Sequence, residues 1–277
     1  MPNVSTEPLF TFLEYFCIEI TDASGWLLII SIIYILGMSI ASYRWLPRHF
    51  LIAIIFLFTA FSFWGYATNG IRNGMATSIA MVGLSFFMRS KKELIIGYGL
   101  LIIALLTHKS CILTIVTATA ALFLRNTKIN ITFWLFCIVL GLLFQEQFKS
   151  LFSGLFDDNR LAAYLNADVS KDNFSRVGFR WDFLLYSSLP IIIGKTATTK
   201  QQIVDKTYTF LLHTYIFSNS FWVLINSAAY SNRFAYLSWF LYPIVLIYPF
   251  CKFKFIQNQG IILGLLLIGM TAFTYFI

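Results

Sequence analysis

Charge is scarce in this chain, and so are the residues that build metal centres and disulfides. Only 12% of its 277 residues are charged, 12 acidic against 20 basic, and it has three histidines, four cysteines and six prolines. The cysteines, Cys17, Cys111, Cys137 and Cys251, form no Cys-x-x-Cys pair and lie mostly in apolar runs. They read as small buried hydrophobes, and neither a disulfide framework nor a metal site is implied. No GxSxG, Walker A, HExxH or Rossmann fingerprint occurs, which removes the usual signatures of hydrolases, nucleotide enzymes and zinc peptidases. The basic residues sit singly at the ends of apolar runs, so no patch follows a nucleic-acid backbone. A basic leader with a short apolar stretch and a cleavage site is also missing, and no cleaved signal peptide is expected.

What the chain has in excess is hydrocarbon. It is 58% hydrophobic and 18% aromatic, with a mean hydropathy of +0.76. That composition belongs to an integral membrane protein. A bilayer core needs roughly 20 apolar residues in a helix. Spans are expected at Trp26–Tyr43, Phe50–Thr68, Gly70–Met88, Ile131–Phe148, Thr207–Asn226, Phe234–Phe250 and Gly260–Ile277. Asp182–Gly194 is shorter and holds Pro190, so a broken or tilted helix is expected there. Leu9–Ile20 is too short to span and carries Glu14 and Glu19, which suits an interfacial or re-entrant helix.

Leu94–Leu124 would reach about 46 Å as one helix, too long for an ordinary span. Thr-His-Lys-Ser at 107–110 interrupts it, and two half-length helices meeting at His108 and Lys109 are expected. Charge supports the division. One set of loops then carries Arg44, Arg48, Arg89, Lys91, Lys92, Arg125, Lys128, Lys195, Lys200, Lys206, Lys252 and Lys254, against only Glu93 and Asp205. With a single span that asymmetry collapses, so the positive-inside rule favours two segments and makes this set cytoplasmic. The N-terminus, Arg72, His108, Lys109, the loop at about 149–181 and Arg233 fall on the other side. The expected fold is a single all-α membrane domain over 1–277, with about 10 membrane segments including short broken helices and an extracytoplasmic loop at 149–181.

An ionisable residue in an apolar stretch marks a functional site by default. Arg72 opens a helix rich in Gly and Ala, where it offers either a snorkelling anchor or a bidentate fork for phosphate and sugar oxygens. His108 and Lys109 mark the break, where unpaired backbone groups and positive charge suit an anion. Arg176 and Arg180 are four residues apart, with Asp182 as an alternative partner, and Arg233 lies at a helix end. Together these six form the candidate binding set, with Arg72 and His108 as the catalytic candidates. Candidates for a general base are Asp157, Asp158, Asp182 and Glu7, among which the residues do not choose. Asp157-Asp158 is also the only adjacent acid pair, without the further ligands a divalent metal needs.

Four segments carry a family resemblance: Glu7-Pro8 ahead of Leu9–Phe16, IRNGMATSIA at 71–80, LLTHKSCIL at 105–113 and SNRFAYL at 231–237. Arg72 also stands 11 residues before Gly83, similar to an Arg-x10-Gly pattern. The chain resembles the EpsG-type polysaccharide polymerases, related to the Wzy O-antigen polymerases, over roughly residues 7–250. The resemblance implies a GT-C-like multi-pass fold; members of that family usually carry further sequence, including a span, ahead of the Glu-Pro element, and here the chain departs from that pattern. It implies transfer of a glycan from undecaprenyl diphosphate to a second lipid-linked repeat unit at the outer face of the bacterial cytoplasmic membrane. No cofactor is implied; the partners would be lipid-linked oligosaccharides, membrane lipids and a chain-length regulator, without nucleic acid. A lipid-linked glycan flippase or a membrane O-acyltransferase would also place cations or a histidine within the membrane, although no internal repeat favours a transporter.

Single cysteines placed at Asn126 and Ser170 in a cysteine-free background should report opposite sides of the membrane to an impermeant thiol reagent. Labelling of both from outside would contradict the two-segment reading of 94–124.

Overall fold

The computed structural model describes residues 7–155, 178–200, 205–228, 231–254 and 256–276, all of them helical or connecting, with no strand among the described residues. A short helix, α1 (Pro8–Ile18), precedes the long α2 (Ala23–Trp45). A 3-10 turn at Pro47–His49 leads into α3 (Phe50–Phe58), α4 (Phe61–Thr68) and α5 (Ile71–Leu84). Then follow α6 (Lys91–Thr107), α7 (Cys111–Phe123), α8 (Thr127–Leu143) and α9 (Gln145–Leu155). The last part comprises α10 (Trp181–Lys200), α11 (Lys206–Leu224), α12 (Ser231–Trp239), α13 (Tyr242–Lys252) and α14 (Gln259–Phe276).

Three stretches are long and apolar enough to cross a bilayer: Ala23–Trp45, Ser231–Lys252 (α12 and α13 together) and Gln259–Phe276. Counting two bent pairs as single spans raises the number to five. Fewer stretches therefore qualify than the ten segments expected from hydropathy, because several expected spans are short or broken. Phe50–Thr68 is bent by 67° between α3 and α4, and Gly70–Met88 holds only the 14 residues of α5. The expected span Ile131–Phe148 starts earlier, where Asn126 caps α8 through the Lys128 and Ile129 amides, and ends in a 97° bend into α9. That second helix runs to Leu155, so the expected loop at 149–181 begins as helix.

Two short segments behave differently from each other. α1 buries Phe10 and Cys17 against Trp26, Ile30 and Met75 while Phe12, Tyr15, Phe16 and Ile18 stay exposed. One apolar face on the protein and another facing outward suit a helix that lies in an interface. The expected break at Pro190 is not there: α10 runs unbroken for 20 residues with Pro190 inside it. Proline removes one amide donor, and the Tyr215 hydroxyl donates to the nearby Ser187 carbonyl at 2.7 Å. Packing on α11 and α13, with Tyr186 stacked on Tyr242 at 4.2 Å, holds the helix through the proline.

The expected interruption in 94–124 is present. α6 ends at Thr107 and α7 starts at Cys111. The two helices run back along each other, with Tyr98 and Thr119 joined at 2.9 Å. This return brings the start of α6 and the end of α7 to one end of the bundle, and His108 to the other.

Several of the basic residues expected on one side do gather. Arg44 bonds Ser85 at 2.9 Å and Glu93 at 3.3 Å, and Arg89 donates to the Arg44 carbonyl at 2.7 Å. Tyr248 donates to Asp205 at 3.2 Å beside Lys252. The core of the fold is the α12–α13 stretch, nearly all of it buried, against α11. α14 is the least buried of the three spanning stretches, with only Met270 buried.

Small residues set the closeness of α5 and α6. A Cβ on Gly83 would lie 2.9 Å from the Gly97 carbonyl, and one on Gly97 would lie 2.9 Å from the Gly83 carbonyl. Such small-residue contacts let membrane helices meet backbone to backbone. Gly83→Val should therefore destabilise the detergent-solubilised protein by about 1–3 kcal/mol. Gly99, with open space around it, should accept alanine without loss. A thermal unfolding comparison of the two variants checks this, and equal melting would contradict the close-packing account.

Candidate functional site

Glu7 is the first described residue and the N-cap of α1, yet its side chain makes no capping bond. The Pro8 at the first helical position has no amide to offer, and the Glu7 carbonyl already accepts from Thr11. The carboxylate is directed elsewhere. Oε2 lies 3.4 Å from Arg72 Nη1, and Oε1 lies 3.4 Å from His108 Nε2. One carboxylate thus touches the two residues singled out from the sequence.

Each partner is held by a different device. Arg72 sits in the first turn of α5, where the helix dipole disfavours a cation. Glu7 offsets that, and the guanidinium lies 4.7 Å over the Phe10 ring, which α1 presents to it. His108 is the C-cap of α6 and has extended backbone. Its Nδ1 lies 2.8 Å from Ser110 Oγ and 3.2 Å from the Ser110 amide that donates to it. Ser110 Oγ reaches Asn73 Oδ1 on α5 at 3.0 Å, and Thr77 donates to the same oxygen at 3.3 Å. A polar chain therefore runs from α5 through the break to the carboxylate.

The surroundings favour an anion. The N-termini of α5 and α7 both start within this cluster, and helix N-termini carry partial positive charge, although at α7 the Ser110, Cys111, Ile112 and Leu113 amides are already taken by the His108 ring and the carbonyls of residues 108–110. Lys109 is half-buried in the same turn as His108. Access is graded: the Glu7 side chain is 13% exposed, His108 27% and Arg72 40%. Among the described residues, no group of three or more His, Cys, Asp or Glu side chains is gathered that could hold a metal ion.

The SNRFAYL segment forms α12 and packs beside this cluster. The Tyr236 ring lies against Gly65, where any Cβ would collide with it, and meets the Tyr66 ring at 5.3 Å. Asn232 donates to the Tyr236 hydroxyl at 3.3 Å, while Arg233 is exposed one turn earlier. Tyr66 in turn touches Gly74 on α5. All four segments that carry the resemblance therefore occupy one continuous region.

Other sequence candidates separate from it. Arg180 is bound by Asp182 through two bonds, 2.9 and 2.7 Å, and lies 3.6 Å over the Phe183 ring. Its amide donates to Asn226 at 2.8 Å. These contacts anchor the start of α10, as the alternative partner Asp182 suggested, and engage that acid as an ion-pair partner. Arg176, Asp157 and Asp158 lie outside the described residues. Asn73 and Ser110 were not singled out from the sequence, although both stand inside the motif segments as hydrogen-bonding residues in apolar runs.

A model of the EpsG family matches residues 2–277. The chain belongs to the EpsG family. No curated protein and no solved structure matches it. As an EpsG-family chain with several apolar helices, it is a membrane protein, of a family associated with polysaccharide polymerases.

Arg72 makes one bond to Glu7 out of the five donors of its planar fork. A site built on that fork should not accept lysine. Arg72→Lys and Arg72→Ala should both lose glycan polymerisation at normal protein abundance. Full activity in Arg72→Lys would reduce the residue to a point charge or a headgroup anchor.

Proposed function

We propose that this chain is a polysaccharide polymerase of the bacterial cytoplasmic membrane, a multi-pass enzyme of GT-C type. It transfers a glycan from undecaprenyl diphosphate to a hydroxyl of a second lipid-linked repeat unit at the outer face. The observation that carries the reading is the Glu7 carboxylate, placed between Arg72 and His108 at the turn between α6 and α7.

Transfer needs two things from the protein. The acceptor hydroxyl must lose its proton as its oxygen bonds to the anomeric carbon, and the departing lipid diphosphate must have its growing charge stabilised. Glu7 serves the first need. Of the four candidate bases it alone, among the described residues, is joined to Arg72 and His108, and a partly exposed carboxylate can take a proton from an incoming hydroxyl. Arg72 serves the second with the donors that Glu7 does not use. His108 Nε2–H holds one carboxylate oxygen in position, and Lys109 adds positive potential beside it. The dipoles of α5 and α7 and these cations favour an anion in the same place. Arg233, exposed on α12 beside the cluster, extends the binding surface for the glycan and the second diphosphate. The reaction requires neither a nucleotide sugar nor a metal.

A purified-protein assay on lipid-linked repeat units tests the assignment. Glu7→Gln keeps the shape and the Arg72 contact but cannot take a proton, and its rate should fall by about 10²–10⁴-fold. Glu7→Asp should keep part of the activity. Unimpaired polymerisation by Glu7→Gln would remove Glu7 as the base.

A further inference from the structure

We propose that Ser110 and Asn73 are positioning residues that hold His108 with its Nε2–H directed at Glu7. The argument is one of hydrogen accounting. A carboxylate only accepts, so the ring nitrogen facing Glu7 Oε1 must carry the hydrogen. The other nitrogen, Nδ1, faces the Ser110 amide at 3.2 Å and the Ser110 hydroxyl at 2.8 Å. The amide can only donate, so in the neutral ring Nδ1 is the acceptor and the hydrogen belongs on Nε2.

The Ser110 hydroxyl has a second acceptor within reach, Asn73 Oδ1 at 3.0 Å. The hydroxyl has one proton to give, to Nδ1 or to Asn73 Oδ1, and the Ser110 amide donates to Nδ1 in either case, so Nε2–H stays on Glu7. Thr77 donates to the same Asn73 oxygen at 3.3 Å, which ties the amide to α5. The device spans the helix break: Asn73 belongs to α5, Ser110 to the turn before α7, and His108 to the end of α6. It therefore orients the ring by joining three backbone segments.

Its use in catalysis rests on the polymerase reading, in which the oriented ring holds the base. The hydrogen placement does not, and a spectrum separates the two. Protein labelled with 15N-histidine in nanodiscs has three histidines, and the His108→Gln variant identifies the His108 signal. Wild-type His108 should show its hydrogen on Nε2. In Ser110→Ala the backbone amide keeps the hydrogen on Nε2, but loss of the hydroxyl should shift the Nδ1 signal, and Ser110→Thr should restore the wild-type pattern. In the polymerisation assay, Ser110→Ala should lower kcat by about 10-fold with KM unchanged. Its thermal midpoint should match wild type, which excludes a merely structural loss.

A wild-type His108 with its hydrogen on Nδ1, or a Ser110→Ala spectrum identical to wild type, would overturn the proposal. The expected spectra from a protein that consumes no lipid-linked repeat units would leave the positioning role standing and remove the polymerase reading.

Discussion

The organisation of this protein depends on one ion-paired carboxylate at the break of a helix. The turn at His108–Ser110 joins two antiparallel helices, with the Cys111, Ile112 and Leu113 amides closed onto the His108, Lys109 and Ser110 carbonyls, and it sets the His108 ring at the end of α6. A cation in the first turn of α5 adds a charge against that helix's dipole. Glu7 joins the two places, because its two oxygens reach Arg72 and His108 at equal distances of 3.4 Å. Its side chain makes no capping bond to α1 and is directed to these two partners instead. The short α1, which cannot span a bilayer, therefore has a role that a spanning helix would not fill: it delivers a carboxylate to the surface of the bundle.

The rest of the fold holds α5 in place for this contact. Gly83 and Gly97 let α5 and α6 meet backbone to backbone, and Gly37 does the same between α2 and Ser78 of α5. Tyr66 and Tyr236 close the region from the α4 and α12 sides. Arg44, Glu93 and Ser85 tie α2, α5 and α6 together at the opposite end of the bundle. A helix packed this closely on two sides has little room to rotate. The direction of Arg72 and Asn73 is thus set by packing tens of ångströms of apolar helix, while their partners lie on other segments.

Part of this was legible in the sequence. The interruption at 107–110 followed from a length too great for one span and from a charge asymmetry that only two segments preserve. The helix break seen between Thr107 and Cys111 is where those two facts put it. Arg72 and His108 stood out because ionisable groups are costly in apolar surroundings. Glu7 did not stand out from the other acids, since its distinction is spatial: α1 folds back to bring it beside residues 65 and 101 positions away. Asn73 and Ser110 were missed for a related reason. Both are ordinary polar residues in a window of sequence and become informative only when one hydroxyl is seen between two acceptors. Pro190 misled in the other direction. Proline usually breaks a helix, but packing on α11 and α13 and the Tyr215 hydroxyl hold α10 together through it. The bends at Thr59–Ala60 and Phe144 carry no glycine or proline that would have announced them.

The central claim is that Glu7, Arg72 and His108 act as one unit. A double-mutant cycle measures it. Polymerisation rates of wild type, Glu7→Gln, Arg72→Ala and the double variant would be compared on the same lipid-linked repeat units. Residues that work as a unit give strongly non-additive losses. The double variant should be no slower than the worse single variant within about threefold, an interaction energy of at least about 1 kcal/mol. Losses that simply multiply would show two residues acting independently and would contradict the shared site.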